Sequence, residues 1–116
     1  MQSWDLRSID TPRGSVSPVV LHSDEARAVL IALDPGQSLG DHSVKERAHV
    51  CVIEGSVRVE CGGETLDATP GTYLTFEPEE RHSLLSTGGA RILLVLAPWP
   101  GEGHYSAEEA EVSLPQ

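Results

Sequence analysis

Few side chains in this sequence are able to carry chemistry, and histidine is the main type among them. The chain has five histidines, two cysteines and a single lysine, Lys45, so Schiff-base chemistry would have one candidate. The imidazole group has an ordinary pKa of about 6.5, which suits it to proton transfer and to metal ligation. No GxxxxGK[ST] or GxGxxG phosphate-binding pattern occurs in the sequence. The sequence therefore directs attention to histidine as an acid, a base or a ligand.

The composition limits the partners of this chain. Its 116 residues fit one domain, and 8 basic residues against 18 acidic ones give a net charge of −10. Such an acidic chain is unsuited to binding nucleic acid or an anionic membrane surface, since both need lysine and arginine. No apolar stretch has the length of about 20 residues that a membrane span needs, and the first ten residues do not resemble a signal peptide. With only two cysteines, we expect a reduced, cytoplasmic protein.

The elements that must position these histidines are predicted to be strands. Short apolar runs alternate with glycine- and proline-containing turns, a pattern typical of an all-β sandwich or barrel. The clearest runs are Val19–Leu21, Ala28–Leu33, Tyr73–Phe76 and Ile92–Leu96. Only the segment from Ser106 to Glu109 resembles a helix start, which predicts one short helix within residues 106–112.

Two turn signals fix a predicted pairing. If Glu54-Gly55 and Gly62-Gly63 are both two-residue hairpin loops, the period-2 alternation of side chains places seven residues on one apolar face that lines the barrel. These residues are Ala48, Val50, Val52, Val57, Val59, Cys61 and Leu66. The opposite face carries His49, Cys51, Arg58 and Glu60. Cys61 is interpreted as a small apolar filler of the interior.

The spacing of glycines and histidines resembles the two motifs of the cupin superfamily. The first motif is matched by Gly36, His42 and Gly55, and the second by Gly71, Pro78 in a shifted position, and His82. Ser86 stands where the second motif has asparagine. The resemblance covers about residues 28–98 and implies a double-stranded β-helix, the jelly-roll barrel of antiparallel strands.

The departures from those motifs bear on the metal site that the resemblance implies. Cupin sites usually take two histidines and a glutamate from the first motif and one histidine from the second, but Val44 and Ala48 occupy two of these slots. His42 and His82 remain, and Glu46 is the best third candidate, with His49 as the other. The expectation is a weak or vestigial site for one divalent ion, Zn, Ni, Fe or Mn, because stable sites usually have three or more protein ligands. A pocket without metal, using the two histidines as polar groups, is the alternative.

The resemblance also suggests how the chain is organised. Residues 1–27 would form N-terminal strands at a dimer edge, residues 28–98 the barrel, and residues 99–116 a C-terminal lid or tail. Small cupins are usually homodimers, and Val19–Leu21 and Trp4–Ile9 would supply the interface strands. His104 and Tyr105 are candidate lid residues, but a tail that is packed on a subunit interface or loosely ordered is the favoured interpretation of that segment.

Three functions remain open from the sequence. The first is a cupin that binds a small molecule in its pocket. The second is a metal-dependent enzyme of the dioxygenase or isomerase type that uses His42, Glu46 and His82. The third is a non-catalytic interaction module, which predicts no enclosed pocket.

Overall fold

The chain folds into seven β-strands. A computed structural model describes residues 1–11 and 18–101, and for residues 41 and 42 it describes the backbone alone. The strands are β1 (Val19–Ser23), β2 (Arg27–Leu33), β3 (Ser38–His42), β4 (Arg47–Cys61), β5 (Glu64–Ala68), β6 (Tyr73–Phe76) and β7 (His82–Ala97). No helix within the described residues is long and apolar enough to cross a membrane.

The two longest strands, β4 and β7, run through both layers of the barrel. They pair antiparallel along almost their whole length, with β2 and β3 on the far side of β7 and with β5 and β6 on the far side of β4. The first layer contains β1, β2, β6, the N-terminal half of β4 and the C-terminal half of β7. The second layer contains β3, β5 and the other halves of the two long strands. The predicted antiparallel jelly-roll barrel is confirmed.

The expected hairpin at Glu54-Gly55 is wrong, because β4 continues through it as one strand of 15 residues. Its register with β7 instead shifts twice, between Val52 and Glu54 and between Gly55 and Val57. Gly55 has a φ of +73°, which a residue without a Cβ adopts at little cost. These irregularities bend the strand from one layer into the other.

The irregularities in this bend have the same effect on side-chain direction as the expected two-residue loop, since they bring residues on either side of it to one face. Val52 and Val57 are five positions apart, so a regular strand would place them on opposite faces. Both are in fact buried in the same core. The predicted interior positions Ala48, Val50, Val52, Val57 and Val59 are therefore confirmed, although the turn that was used to derive them does not exist.

Two predicted lining residues are not fully buried: Cys61 is half-buried, and Leu66 is exposed. Leu66 is the register partner of Val59, as expected, yet it remains 47% exposed. The reason is its place on β5, which pairs only with β4 among the described strands and borders an open cleft, so no described residue of the opposite layer covers Leu66.

Two other turns have the predicted chemistry. Gly62 and Gly63, with φ of +59° and +83°, close the β4–β5 hairpin, in which Cys61 faces Glu64. Gly71 has a φ of +93° after Pro70, and the Thr72 amide donates to the Thr69 carbonyl at 2.9 Å. Both turns use glycine for the positive φ that other residues avoid.

The predicted strand at Trp4–Ile9 is wrong, while the role of this segment at an interface stays a prediction. This segment forms a turn, in which the Asp5 side chain accepts hydrogen bonds from the Arg7 amide and the Ser8 hydroxyl. The Arg91 guanidinium then binds two of its carbonyls, those of Leu6 and Ile9, at 2.7 and 2.8 Å. An aspartate that caps its own backbone competes with strand pairing, which explains the difference. The predicted helix within 106–112 and the lid residues His104 and Tyr105 lie outside the described residues.

Candidate functional site

The register of the second layer brings the motif histidines to one level of the barrel. His82 begins β7, with His42 of β3 as its register partner on one side and Cys61 of β4 on the other. On the next strand, β5, Glu64 is the partner of Cys61. The direction of the His42 side chain lies outside the described part of the structure, so its convergence with His82 in one pocket stays a prediction.

The His82 ring is fixed inside the barrel by two contacts. It is 4% exposed, and it stacks on the Phe76 ring with a centroid separation of 3.8 Å and an interplanar angle of 3°. Its Nδ1 lies 3.0 Å from the Glu80 carbonyl oxygen. Because a carbonyl can only accept, Nδ1 is the donor in this contact, and Nε2 is the acceptor nitrogen whenever the ring is neutral. In the neutral form, Nε2 is thus the ring atom with basic and metal-ligating character.

Glu80 holds a thiol beside this histidine. Its Oε2 accepts from the Cys61 Sγ at 3.2 Å, and its Oε1 accepts from the Glu77 amide at 2.9 Å. The hydrogen bond from the Glu77 amide, followed by the one from the Cys61 thiol, lowers the pKa of the Glu80 carboxyl. The charges of His82 and Arg47 lower it by smaller amounts. Burial raises the pKa of the Cys61 thiol, and the carboxylates of Glu80 and Glu64 raise it further. Glu80 is thus an anion and Cys61 a neutral thiol, which argues against Cys61 as a nucleophile. Cys61 is, however, half-buried at the cleft and not the buried apolar filler that the sequence predicts.

A cleft of about 600 Å³ opens between the edges of β5 and β6, and we call it the β5–β6 cleft. Phe76 forms part of its wall and stacks on His82 behind it. The apolar part of the lining consists of Val59, Leu66, Leu74 and Phe76, and the polar part of Cys61, Glu64, Thr65, Thr75 and Glu80. A volume of this size is sufficient for a small organic molecule.

Glu46 has a structural partner. It lies in the connection between β3 and β4, as predicted, but it is only 1% exposed. Its Oε2 accepts a hydrogen bond of 2.8 Å from the Gly101 amide, which anchors the segment after β7 to the barrel. Its proposed role as a third ligand remains a prediction, in competition with this bond.

The donor set of the described residues does not fit a complete cupin metal centre. Ala48 is buried among apolar side chains, and Val44 packs against the same core. Across the side chains that the structure describes, no group of three or more histidine, cysteine, aspartate or glutamate residues is arranged to hold a metal ion. His82 is the one motif ligand whose geometry is described.

His49 lies on the outer face of the barrel, as the alternation predicts. It pairs with Val95 and Thr75 without a register shift, so the bulge that would turn it inward is absent. Its Nδ1 lies 2.6 Å from the Tyr73 hydroxyl, and the two rings stack. This arrangement argues against His49 as a ligand in the interior.

Two features of the site escaped the sequence reasoning. The first is the contact of Glu80 with Cys61 and His82, which depends on the conformation of the loop between β6 and β7, where Glu79 has a φ of +65°. The second is the pattern Gly36-Gln37-Ser38-Leu39-Gly40, which matches the GxSxG of serine hydrolases. The structure places Ser38 at the start of β3, opposite Leu85, and not at the strand-to-helix turn that such a nucleophile needs.

Comparison with known proteins agrees with this topology. The family model of the cupin domain matches residues 29–96. None of the curated proteins compared with the chain matches it. A conserved protein with a double-stranded β-helix domain from Klebsiella pneumoniae has a similar structure, with a TM-score of 0.77 and 17% identity over 87% of this chain and 93% of that chain.

Two further solved structures have the same fold. An RmlC-like cupin protein from Desulfovibrio desulfuricans gives a TM-score of 0.74 at 21% identity, over 84% of this chain and 97% of that chain. A conserved protein of unknown function from Streptococcus pyogenes gives 0.72 at 21% identity, over 83% and 86%. At these identities the likeness concerns the fold alone. Because the matched segment, residues 29–96, spans more than half of the 116 residues, this chain belongs to the cupin family.

Proposed function

We propose that this cupin binds a small molecule in the β5–β6 cleft without a complete metal centre. The observation that carries the proposal is the cleft itself, since it joins an apolar wall to polar groups at its rim. Sites for small molecules usually combine these two features, with apolar contacts for affinity and a few polar groups for orientation. His82 supports the site from behind through Phe76.

The metal part of the proposal follows from the donors that remain. His42 and His82 leave a weak or vestigial site for one divalent ion, because apolar residues stand in two ligand slots and Glu46 binds the Gly101 amide. An ion held by two histidines would supply Lewis-acid chemistry when bound, but it would dissociate easily. The ligand would therefore be recognised by the wall and rim of the cleft.

Filling the cleft tests the binding proposal. We expect benzyl alcohol, a small apolar probe with one hydroxyl, to shift the amide NMR signals of cleft residues in the wild type. Leu66→Trp should abolish these shifts because the indole ring would occupy the mouth of the cleft. Val20→Trp is the matched control, since Val20 is equally exposed, at 45%, but lies on β1 outside the cleft. Shifts scattered over the surface, or unchanged in Leu66→Trp, would contradict the proposal.

Titration calorimetry tests the metal part. We expect Zn²⁺, Ni²⁺, Fe²⁺ and Mn²⁺ to bind the wild type weakly or not at all. Any binding should be lost in His42→Ala and in His82→Ala and should be reduced less in Glu46→Ala. Tight binding that persists in His82→Ala would show that the second motif does not supply a ligand.

A further inference from the structure

The charge of the β5–β6 cleft has one sign. Among the side chains that the structure describes, two carboxylates, Glu64 and Glu80, are the only charged groups in its lining, and no described lysine or arginine lines it. Arg81 lines an adjoining groove, which shares Cys61, Glu64 and Thr65 with this cleft. The whole chain has a net charge of −10. An anionic ligand would therefore meet repulsion at the rim, whereas a cation would be attracted.

Cys61 shows that the two carboxylates act at the same place. Glu80 accepts a hydrogen bond from its Sγ at 3.2 Å, and the charges of both Glu80 and Glu64 act on the same thiol. Glu80 comes from the loop before β7 and Glu64 from the start of β5, so two separate elements bring negative charge to one side of the cleft.

Three basic side chains in the surroundings of the cleft are engaged with other carboxylates, although the charge of Arg47 also acts on Glu80. Lys45 pairs with Glu79 at 3.3 Å, Arg47 with Glu77 at 3.7 Å, and Arg58 with Asp67 at 3.2 Å. None of these pairs includes Glu64 or Glu80.

We propose that the β5–β6 cleft takes a small molecule with an apolar body and a primary ammonium group. Glu80 binds the ammonium through a charge-assisted hydrogen bond, with Glu64 adding attraction, and the body contacts Leu66, Leu74 and Phe76. This inference rests on the proposed function and adds the chemical class of the ligand.

The test compares three probes of one shape and different charge: benzylamine, which is protonated at pH 7, benzyl alcohol and benzoate. We expect benzylammonium to bind about fivefold more tightly than benzyl alcohol at low ionic strength, with this preference falling as salt is added. We expect benzoate to bind most weakly of the three. NMR titration of the cleft amides measures all three affinities on the same protein.

Glu80→Gln should reduce the affinity for benzylammonium to that for benzyl alcohol, and Glu64→Gln should reduce it less. The glutamine can still accept from the Glu77 amide, so the loop is preserved. Glu25→Gln, which removes an exposed charge outside the cleft, should leave the preference unchanged.

The outcomes separate the two proposals. If benzyl alcohol or benzoate binds as tightly as benzylammonium, or if Glu80→Gln retains the preference, the ammonium proposal is wrong while the binding cleft stands. If none of the three probes binds, both proposals are wrong.

Discussion

Glu80 links the loop before β7 to the floor of the cleft through its two oxygens. One oxygen accepts from the Glu77 amide and closes the loop, and the other accepts from the Cys61 thiol. The Glu80 backbone carbonyl binds His82 Nδ1 and so selects its tautomer. One residue thus sets the state of both chemically capable side chains beside the cleft.

The reactivity of Cys61 gives a direct measure of this arrangement. A raised thiol pKa means less thiolate at a given pH, so iodoacetamide should react with Cys61 more slowly than with free cysteine at pH 8. Glu80→Gln should move the midpoint of the rate–pH profile to lower pH, because a neutral amide no longer disfavours the thiolate. Burial is the largest cause of the shift, so the midpoint should not return fully to that of free cysteine.

This measurement needs a background in which only Cys61 reacts. Cys51→Ser removes the other free cysteine. Glu60→Gln is the matched control, since Glu60 neighbours Cys61 in the chain but is on the other face of β4 and should not change the midpoint. If the double variant Cys51→Ser/Glu80→Gln has the same rate–pH profile as Cys51→Ser alone, the contact between Glu80 and Cys61 is contradicted.

Glu46 serves as the acceptor for a buried backbone donor, and this role predicts its mutational behaviour. Glu46→Ala leaves the Gly101 amide without that acceptor and should cost about 1–3 kcal/mol of unfolding free energy in urea titrations. Glu46→Gln, which can still accept from the amide, should cost clearly less. Equal stability of the alanine variant and the wild type would show that the bond does not stabilise the fold.

At the scale of elements, the bend shared by β4 and β7 shapes the barrel. Gly55 and Gly89 both have positive φ, of +73° and +94°, and they face each other where the strands cross between layers. A Cβ on Gly55 would overlap the Gly89 carbonyl oxygen and lie 2.8 Å from Ala90 Cα. The bend therefore requires glycine at position 55 for space as well as for conformation.

Gly55→Ala should destabilise the protein by about 3 kcal/mol or more, because steric overlap with rigid backbone adds to the strain of the left-handed conformation. Gly62→Ala is the matched control. Its φ is +59°, but nothing lies within 4 Å of the added Cβ, so it should cost only about 1–2 kcal/mol. Thermal unfolding of both variants gives the comparison, and equal losses would mean that the overlap is relieved by a shift of the backbone.

The elements that could be predicted from the sequence are those determined by the conformational preferences of their own residues. Gly62-Gly63 and Pro70-Gly71 form the predicted turns because their conformational preferences are intrinsic to the residues. Glu54-Gly55 has similar preferences, but a turn and a bulge both use a glycine with positive φ, and only the pairing with β7 decides between them. The motif histidines were found by their spacing. The contacts of Glu80 and of Glu46, by contrast, depend on loops and on residues up to 55 positions away in the chain, for which local patterns contain no signal.

At the scale of the whole molecule, the outer face of the first layer carries a row of neighbouring apolar side chains. The register aligns Leu93 with Cys51 on this face, and Val95 follows in the next outward row. Leu30, the other register partner of Leu93, is already fully buried within one chain. Leu93, Cys51 and Val95 are only half-buried in one chain. Contiguous apolar side chains of this kind commonly mark an interface.

We therefore expect a homodimer that uses this face, and sedimentation velocity tests it. Leu93→Glu should give a species of monomer mass, because a carboxylate placed between two copies would be desolvated without a partner. Leu85→Glu is the matched control, since Leu85 is also outward on β7, 39% exposed, but belongs to the second layer, and this variant should remain a dimer. A wild type that sediments as a monomer at all accessible concentrations would refute the dimer. Dissociation by Leu85→Glu and not by Leu93→Glu would instead place the interface on the second layer.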